Sequence, residues 1–193
     1  GRRAGRIVID GGEAGQTQLA GVLDASGASA GEQGGSVSVS GGSVSLAAGA
    51  RVDASGDAGG GTVRLAADTQ RAGGDLVVQG SVAARGTGAD AVGGQIDATG
   101  NRVGLFGTAV LDASGQAGGG QVRVGGDYQG GAGLAASQMT VVGPSAQVLA
   151  DAGARGDGGR VIVWSDGDTL FNGRISAAGG AAGGLGGFVE IGR

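Results

Sequence analysis

The stretch RVDASGDAGGGTVRLA, residues 51–66, contains two short alternating runs parted by a glycine cluster. In Val52-Asp53-Ala54-Ser55, the apolar Val52 and Ala54 face one way, and Asp53 and Ser55 face the other. In Thr62-Val63-Arg64-Leu65, Val63 and Leu65 point in and Arg64 points out. Period-two alternation over so few residues is the signature of a half-buried strand. A third such run, Val44 to Ala47, precedes them, so the unit from Gly42 to Asp68 carries three short strands separated by glycine turns.

The tetrad Asp-Ala-Ser-Gly stands at residues 24–27, 53–56 and 112–115. With degenerate copies included, the glycine that closes each copy falls at Gly27, Gly56, Gly86, Gly115, Gly153 and Gly179, at intervals of 29, 30, 29, 38 and 26 residues. A fixed period of this length is the mark of a repeat architecture. Three strands per repeat predict an all-β, right-handed parallel β-helix of about six three-stranded coils of roughly 29 residues, occupying residues 1–193 as a single segment. Coils stacked at about 4.8 Å make a rod roughly 25–30 Å long.

Composition agrees with a narrow solenoid. Fifty glycines stand beside one proline and five aromatic residues. Collagen is excluded, because glycine is not strictly every third residue and proline is scarce. A flexible linker is excluded by β-branched runs such as Arg6-Ile7-Val8-Ile9-Asp10. Helix is excluded by the glycine content and by the lack of any 3.6-residue period. Glycine is expected to supply the positive-φ corners. The chain has no histidine, cysteine or lysine, and its net charge is −4. That charge offers no basic face for nucleic acid, and the lack of cysteine removes disulfides and thiolate metal sites. No apolar stretch approaches the roughly 20 residues that span a bilayer. The opening GRRAGRIVID enters a strand at once, without an initiator methionine or a signal peptide, and reads as an internal fragment of a longer protein.

One interval is about nine residues too long, and the excess predicts an expanded loop within one coil at 128–147. Aligning Arg160-Val161-Ile162-Val163-Trp164 with Gln121-Val122-Arg123-Val124-Gly125 puts Ile162 and Trp164 at outward positions, and Phe188 is outward one coil later. Two readings stay open. Either the loop folds over Ile162 and Trp164, or Tyr128, Ile162, Trp164 and Phe188 form an apolar surface for a partner.

The segments Gly156-Asp157-Gly158-Gly159-Arg160-Val161-Ile162-Val163-Trp164-Ser165-Asp166 and Phe171-Asn172-Gly173-Arg174-Ile175-Ser176-Ala177 resemble the repeats of filamentous-haemagglutinin-like exoproteins. So does Leu111-Asp112-Ala113-Ser114-Gly115 followed by Gly119-Gly120-Gln121-Val122-Arg123-Val124-Gly125. The resemblance implies long right-handed β-helical proteins, on or released from the surface of Gram-negative bacteria. They are exported by two-partner secretion through an outer-membrane pore and serve as adhesins, matrix proteins or stalks. The NPNG-type motif of that family's secretion domain is not present in this sequence, so the resemblance implies a shaft segment. Its expected partners are a host-cell or matrix surface component such as a glycan, neighbouring coils of the parent protein, and further copies joined end to end.

Candidate chemistry is sparse. Asp24 and Asp53 fall in register on consecutive coils and Asp112 two coils further on. That spacing suits the carboxylate pairs of glycoside hydrolases, but the favoured reading is an outward turn-flanking residue repeated because the unit is repeated. Gly156-Asp157-Gly158-Gly159, Asp68, Asp127 and Asp166 suggest calcium turns, yet the strict nonapeptide such turns require is missing. Arg155-Gly156-Asp157 is an adhesion-type tripeptide, but it lies inside an ordinary glycine turn. No catalytic residue, cofactor or metal is expected. The alternative to a shaft is a polysaccharide-binding or polysaccharide-degrading module, with binding centred on Tyr128 and Trp164.

Overall fold

A computed structural model describes residues 2–193, with side chains from Ala4 onward. The strands stack as a parallel solenoid with three faces. Face I comprises Arg6–Asp10, Ser36–Gly41, Thr62–Ala67, Gln95–Thr99, Gln121–Val124, Arg160–Trp164 and Phe188–Gly192. Face II comprises Gln16–Leu19, Ser43–Leu46, Asp75–Val78, Arg102–Leu105, Met139–Val142 and Asp168–Phe171. Face III comprises Val22–Asp24, Arg51–Asp53, Ser81–Ala83, Val110–Asp112, Gln147–Leu149 and Arg174–Ser176. Each strand pairs in parallel with its equivalents one coil away, as in Thr62↔Gln95 and Val52↔Val82.

The alternation read from the sequence decides which side chains enter the core. Val63, Ile96, Val122 and Val161 form one buried column, and Leu65, Ala98, Val124 and Val163 form the next. A buried valine or leucine contributes about 1.5–3 kcal/mol relative to exposure. Only small aliphatic groups fit where three sheets converge on one axis, which explains the lack of inward aromatic residues until Phe171.

The marker in the fifth coil is Ala152 rather than Gly153. Gly115 bridges Ala152, and Asp112 pairs with Leu149, giving an offset of 37 residues. The side chains of Val148 and Ala150 settle this register, because both are fully buried. A slip of one residue would turn both to the outside. The excursion is also narrower than 128–147: Met139–Val142 pairs with Arg102–Leu105, so the chain leaves the coil after Val124 and is back by Met139.

Glycine has a second role beyond turning corners. Some corners do use positive φ, as at Gly49 (φ 87°). From Ser36 onward each face I strand follows two glycines, and all of these except Gly186 are required by close approach to neighbouring backbone. A Cβ on Gly94 would stand 2.0 Å from the carbonyl oxygen of Gly61, and one on Gly120 would stand 2.1 Å from that of Gly94. In the same coil, Gly94 N–H donates to the Ala84 carbonyl at 2.7 Å and Gly120 N–H to that of Ala113 at 2.8 Å, pinching face III against the next face I strand.

Candidate functional site

The repeated aspartates were the first candidates. Asp24 and Asp53 pair across one coil step, with Ala83 between Asp53 and Asp112. Each carboxylate is held by its own turn. Asp24 Oδ1 accepts the Ser26 N–H at 2.9 Å and its hydroxyl at 2.6 Å, and Asp112 Oδ1 accepts the Ser114 N–H at 2.9 Å. Asp53 Oδ1 accepts the Ser55 N–H at 2.9 Å, and Oδ2 pairs with Arg51 at 2.8 Å. These are side-chain-to-backbone turn bonds of the kind aspartate makes locally.

Two of these carboxyls are more acidic than usual. The Ser26 side-chain and backbone hydrogen bonds hold the Asp24 carboxyl below the usual carboxylate range. Burial opposes ionisation of Asp53, but hydrogen bonds from Arg51 and Ser55 outweigh it and lower its pKa. A general acid for glycoside hydrolysis needs the opposite shift. The serines of the tetrads were overlooked as structural ties. Ser55 Oγ accepts the Arg85 N–H, and Ser114 Oγ accepts the Asp151 N–H, each at 3.0 Å, linking one coil to the next.

The aspartates of the candidate calcium turns are likewise engaged. Asp157 Oδ1 accepts the Leu185 N–H at 2.8 Å, and Asp68 Oδ1 accepts the Gln70 N–H at 2.8 Å. Asp166 receives the Trp164 indole N–H at 3.2 Å. In the tripeptide, Arg155 forms an ion pair with Asp90, and Gly156 adopts φ 88° and donates to the Gly183 carbonyl. All three of its residues are thus part of the corner.

The loop after Val124 gathers the remaining candidates. Its anchor is Arg123, whose Nε and Nη2 bond Asp97 at 2.7 and 2.9 Å, while Nη1 reaches Asp127 at 2.9 Å. The Asp97 hydrogen bonds raise the Arg123 pKa above its ordinary value. Asp127 also caps a single 3₁₀ turn, Tyr128–Gly130, by accepting the Tyr128 N–H at 2.8 Å. Further along, Thr99 Oγ1 donates to the Ala135 carbonyl at 2.8 Å. Ser137 and Thr140 are buried and bonded to each other at 2.7 Å, and Thr140 Oγ1 donates to the Trp164 carbonyl at 2.7 Å. The ties of Thr99 to Ala135 and of Thr140 to Trp164 leave no local sequence signal, because they join residues 36 and 24 positions apart.

Ile162 faces away from the central core, yet it is 0% exposed. Ile162 is therefore not an accessible member of a partner surface. The Trp164 ring is half-buried among glycine backbones. A Cβ on Gly126 would stand 2.8 Å from its Cδ1, one on Gly130 3.2 Å from its Nε1, and one on Gly192 2.2 Å from its Cζ3. Tyr128 and Phe188 come together on the outside. Their rings meet edge to face at 5.7 Å, and the Arg160 guanidinium lies 5.1 Å from both centroids. Tyr128 is 41% exposed and Phe188 45%. Arg160 is the part of this cluster that the sequence reading did not single out.

Among solved structures, the chain is similar to the HMW1 secretion domain from Haemophilus influenzae. The TM-score is 0.72 at 22% sequence identity, over 92% of this chain and 49% of that one. The likeness is one of fold. The chain spans about half the length of that domain. No protein-family model matches the sequence, and no curated protein is similar to it.

Proposed function

We propose that the chain is a structural segment of a secreted bacterial filamentous adhesin or matrix exoprotein, a shaft without catalysis of its own. The observation that carries this reading is the uniformity of the stack: three long parallel sheets whose coils are joined by close-packed glycines and by the tetrad serines Ser55 and Ser114. Repeats joined this way add length at nearly constant local stability. The lowered pKa values of Asp24 and Asp53 argue against either acting as the general acid of a hydrolase. Similarity of fold to a secretion domain supports export, and the resemblance of the repeats to filamentous-haemagglutinin-like exoproteins supports a surface location.

Antibodies raised against this chain test the reading on the producing bacterium. Labelling of intact cells or recovery of the antigen from the medium is expected. Labelling only after lysis overturns it, as does release of reducing sugar from an acidic polysaccharide that is lost in Asp53→Asn.

A further inference from the structure

The first outward position of each face I strand forms a column that passes through Thr62, Gln95, Gln121, Arg160 and Phe188. Beside it runs an open groove of about 760 Å³, floored by the paired glycines and reaching Leu185 on the far side. No side chain rises from that floor, and at every floor glycine except Gly186 a Cβ would strike neighbouring backbone.

Arg160 stands out among the arginines. Arg160, like Arg6, Arg64, Arg71 and Arg174, makes no ion pair among the described residues, but it alone of these lies against two aromatic rings. The acids near it are committed elsewhere: Glu190 accepts the Gln129 N–H at 3.1 Å, and Asp157 accepts from Leu185. Tyr128 and Phe188 hold the guanidinium through cation–π contact while leaving its N–H donors unbonded. Next in the column, the Gln121 side-chain amide makes no hydrogen bond to the protein among the described residues, and Gln95 uses only its NH₂ group, on Asp97.

We propose that this groove binds an acidic polysaccharide built of uronic acid units. Arg160 takes a carboxylate through its planar fork of donors. The exposed parts of Tyr128 and Phe188 contact the apolar faces of the sugar rings, and the Gln121 and Gln95 amides receive hydroxyl groups. The coil spacing of about 4.8 Å is close to the length of one pyranose unit, so an extended chain along the rod meets one column residue per sugar. An acidic peptide fits less well. A strand added by backbone pairing needs a free sheet edge. Among the strands bordering this groove only Phe188–Gly192 has one, and a strand added there would run across the rod rather than along the groove. The proposal does not depend on the shaft reading, since a rod that ignores glycans is still a rod.

Calorimetric titration of the chain with an oligogalacturonate tests it, beside the methyl-esterified oligomer, a neutral cello-oligosaccharide and oligoglutamate. Binding of the oligogalacturonate is expected, weakened about tenfold or more by esterification or by Arg160→Gln. Arg64→Gln removes another exposed arginine of the same face and is expected to change affinity by less than about twofold. Esterification alters the ligand alone, so it reads the contact even if a variant folds poorly. No binding of the oligogalacturonate overturns the proposal, as do equal losses from Arg64→Gln and Arg160→Gln, undiminished binding of the ester, or equal binding of oligoglutamate.

Discussion

Ile162 stacks directly on Arg123 of the neighbouring coil, at the same outward position of face I. An apolar side chain and a charged one thus share a column that is solvent-exposed at Val8 and Arg64. The loop between Val124 and Met139 is tied to Arg123 and packs on the strand of Ile162. Arg123 ties that loop down through Asp127 and is itself oriented by Asp97. The side chains of Arg123 and Asp97 are largely buried. Removing the guanidinium leaves Asp97 without its partner, a change that costs about 3–5 kcal/mol for a buried pair. Arg123→Met is expected to lower the denaturant midpoint by that order and to open residues 127–136 to limited proteolysis. A loop that stays protease-resistant in the variant would show that Arg123 does not anchor it.

Val8 occupies the same outward column as Ile162, near the opposite end of the rod, and is 56% exposed. The two positions make an internal comparison for the covering loop. Ile162→Ala is expected to cost about 2–5 kcal/mol, as for a core position. Val8→Ala should stay within about 0.5 kcal/mol, as for a surface one. Urea unfolding curves of the two variants decide the matter, and similar midpoints would mean that Ile162 gains nothing from the loop.

Trp164 is the single tryptophan, so its fluorescence reports on the same cover. Replacing residues 127–136 with a short glycine linker removes Gly130 from the indole and is expected to shift the emission to the red and increase quenching by iodide. Unchanged emission would assign the shielding of Trp164 to Gly126 and Gly192 alone.

Gly94 and Gly21 separate the two roles of glycine. A Cβ at Gly94 meets the Gly61 carbonyl oxygen at 2.0 Å, whereas nothing lies within 4 Å of one at Gly21. Gly94→Ala has to push two coils apart and is expected to cost about 3 kcal/mol or more. Gly21→Ala should be neutral, or stabilising by about 0.4–1 kcal/mol through the unfolded chain. Thermal melts that rank the two equally would contradict the close-approach account.

Asp53 links stability to pH. Its carboxyl is held below the ordinary value of 3.8 in the folded chain, chiefly by Arg51 and Ser55 acting against burial. The folded state therefore binds fewer protons than the unfolded one in that range. The stabilisation from Asp53 is complete above 3.8 and is lost as pH falls through the folded pKa. Wild type is expected to exceed Asp53→Asn in stability at neutral pH, with the gap closing below 3.8. A gap that persists unchanged to the acid limit would place the effect of Asp53 in geometry rather than in charge.

Much of the fold was legible from residues alone. Period-two alternation marks which side of a strand is buried, and it located Val63 and Leu65 inside and Arg64 outside. The recurrence near 29 residues then set the circumference of a coil, because each repeat has to close on itself before it can pair with the next. Where the alternation is carried by small or ambiguous residues, the reading slipped. Leu149-Ala150-Asp151-Ala152-Gly153 matches the tetrad pattern one residue late, and only the burial of Val148 and Ala150 corrects it. The loop boundary failed for a similar reason: Met139–Val142 is as apolar as an ordinary strand, and its pairing partner lies 37 residues away in the chain.

The candidate site was less legible. Sequence alone determined the solenoid, its outward and inward columns, and the outward placement of Ile162, Trp164 and Phe188, because these follow from periodicity within a few neighbouring residues. Only the tertiary structure decided which outward residues meet solvent. Burial of Ile162, packing of the Trp164 ring, and the meeting of Tyr128, Arg160 and Phe188 all depend on a loop from one coil lying across the next two. Contacts between residues 28 to 60 positions apart leave no local period, so no reading of short segments could assemble them.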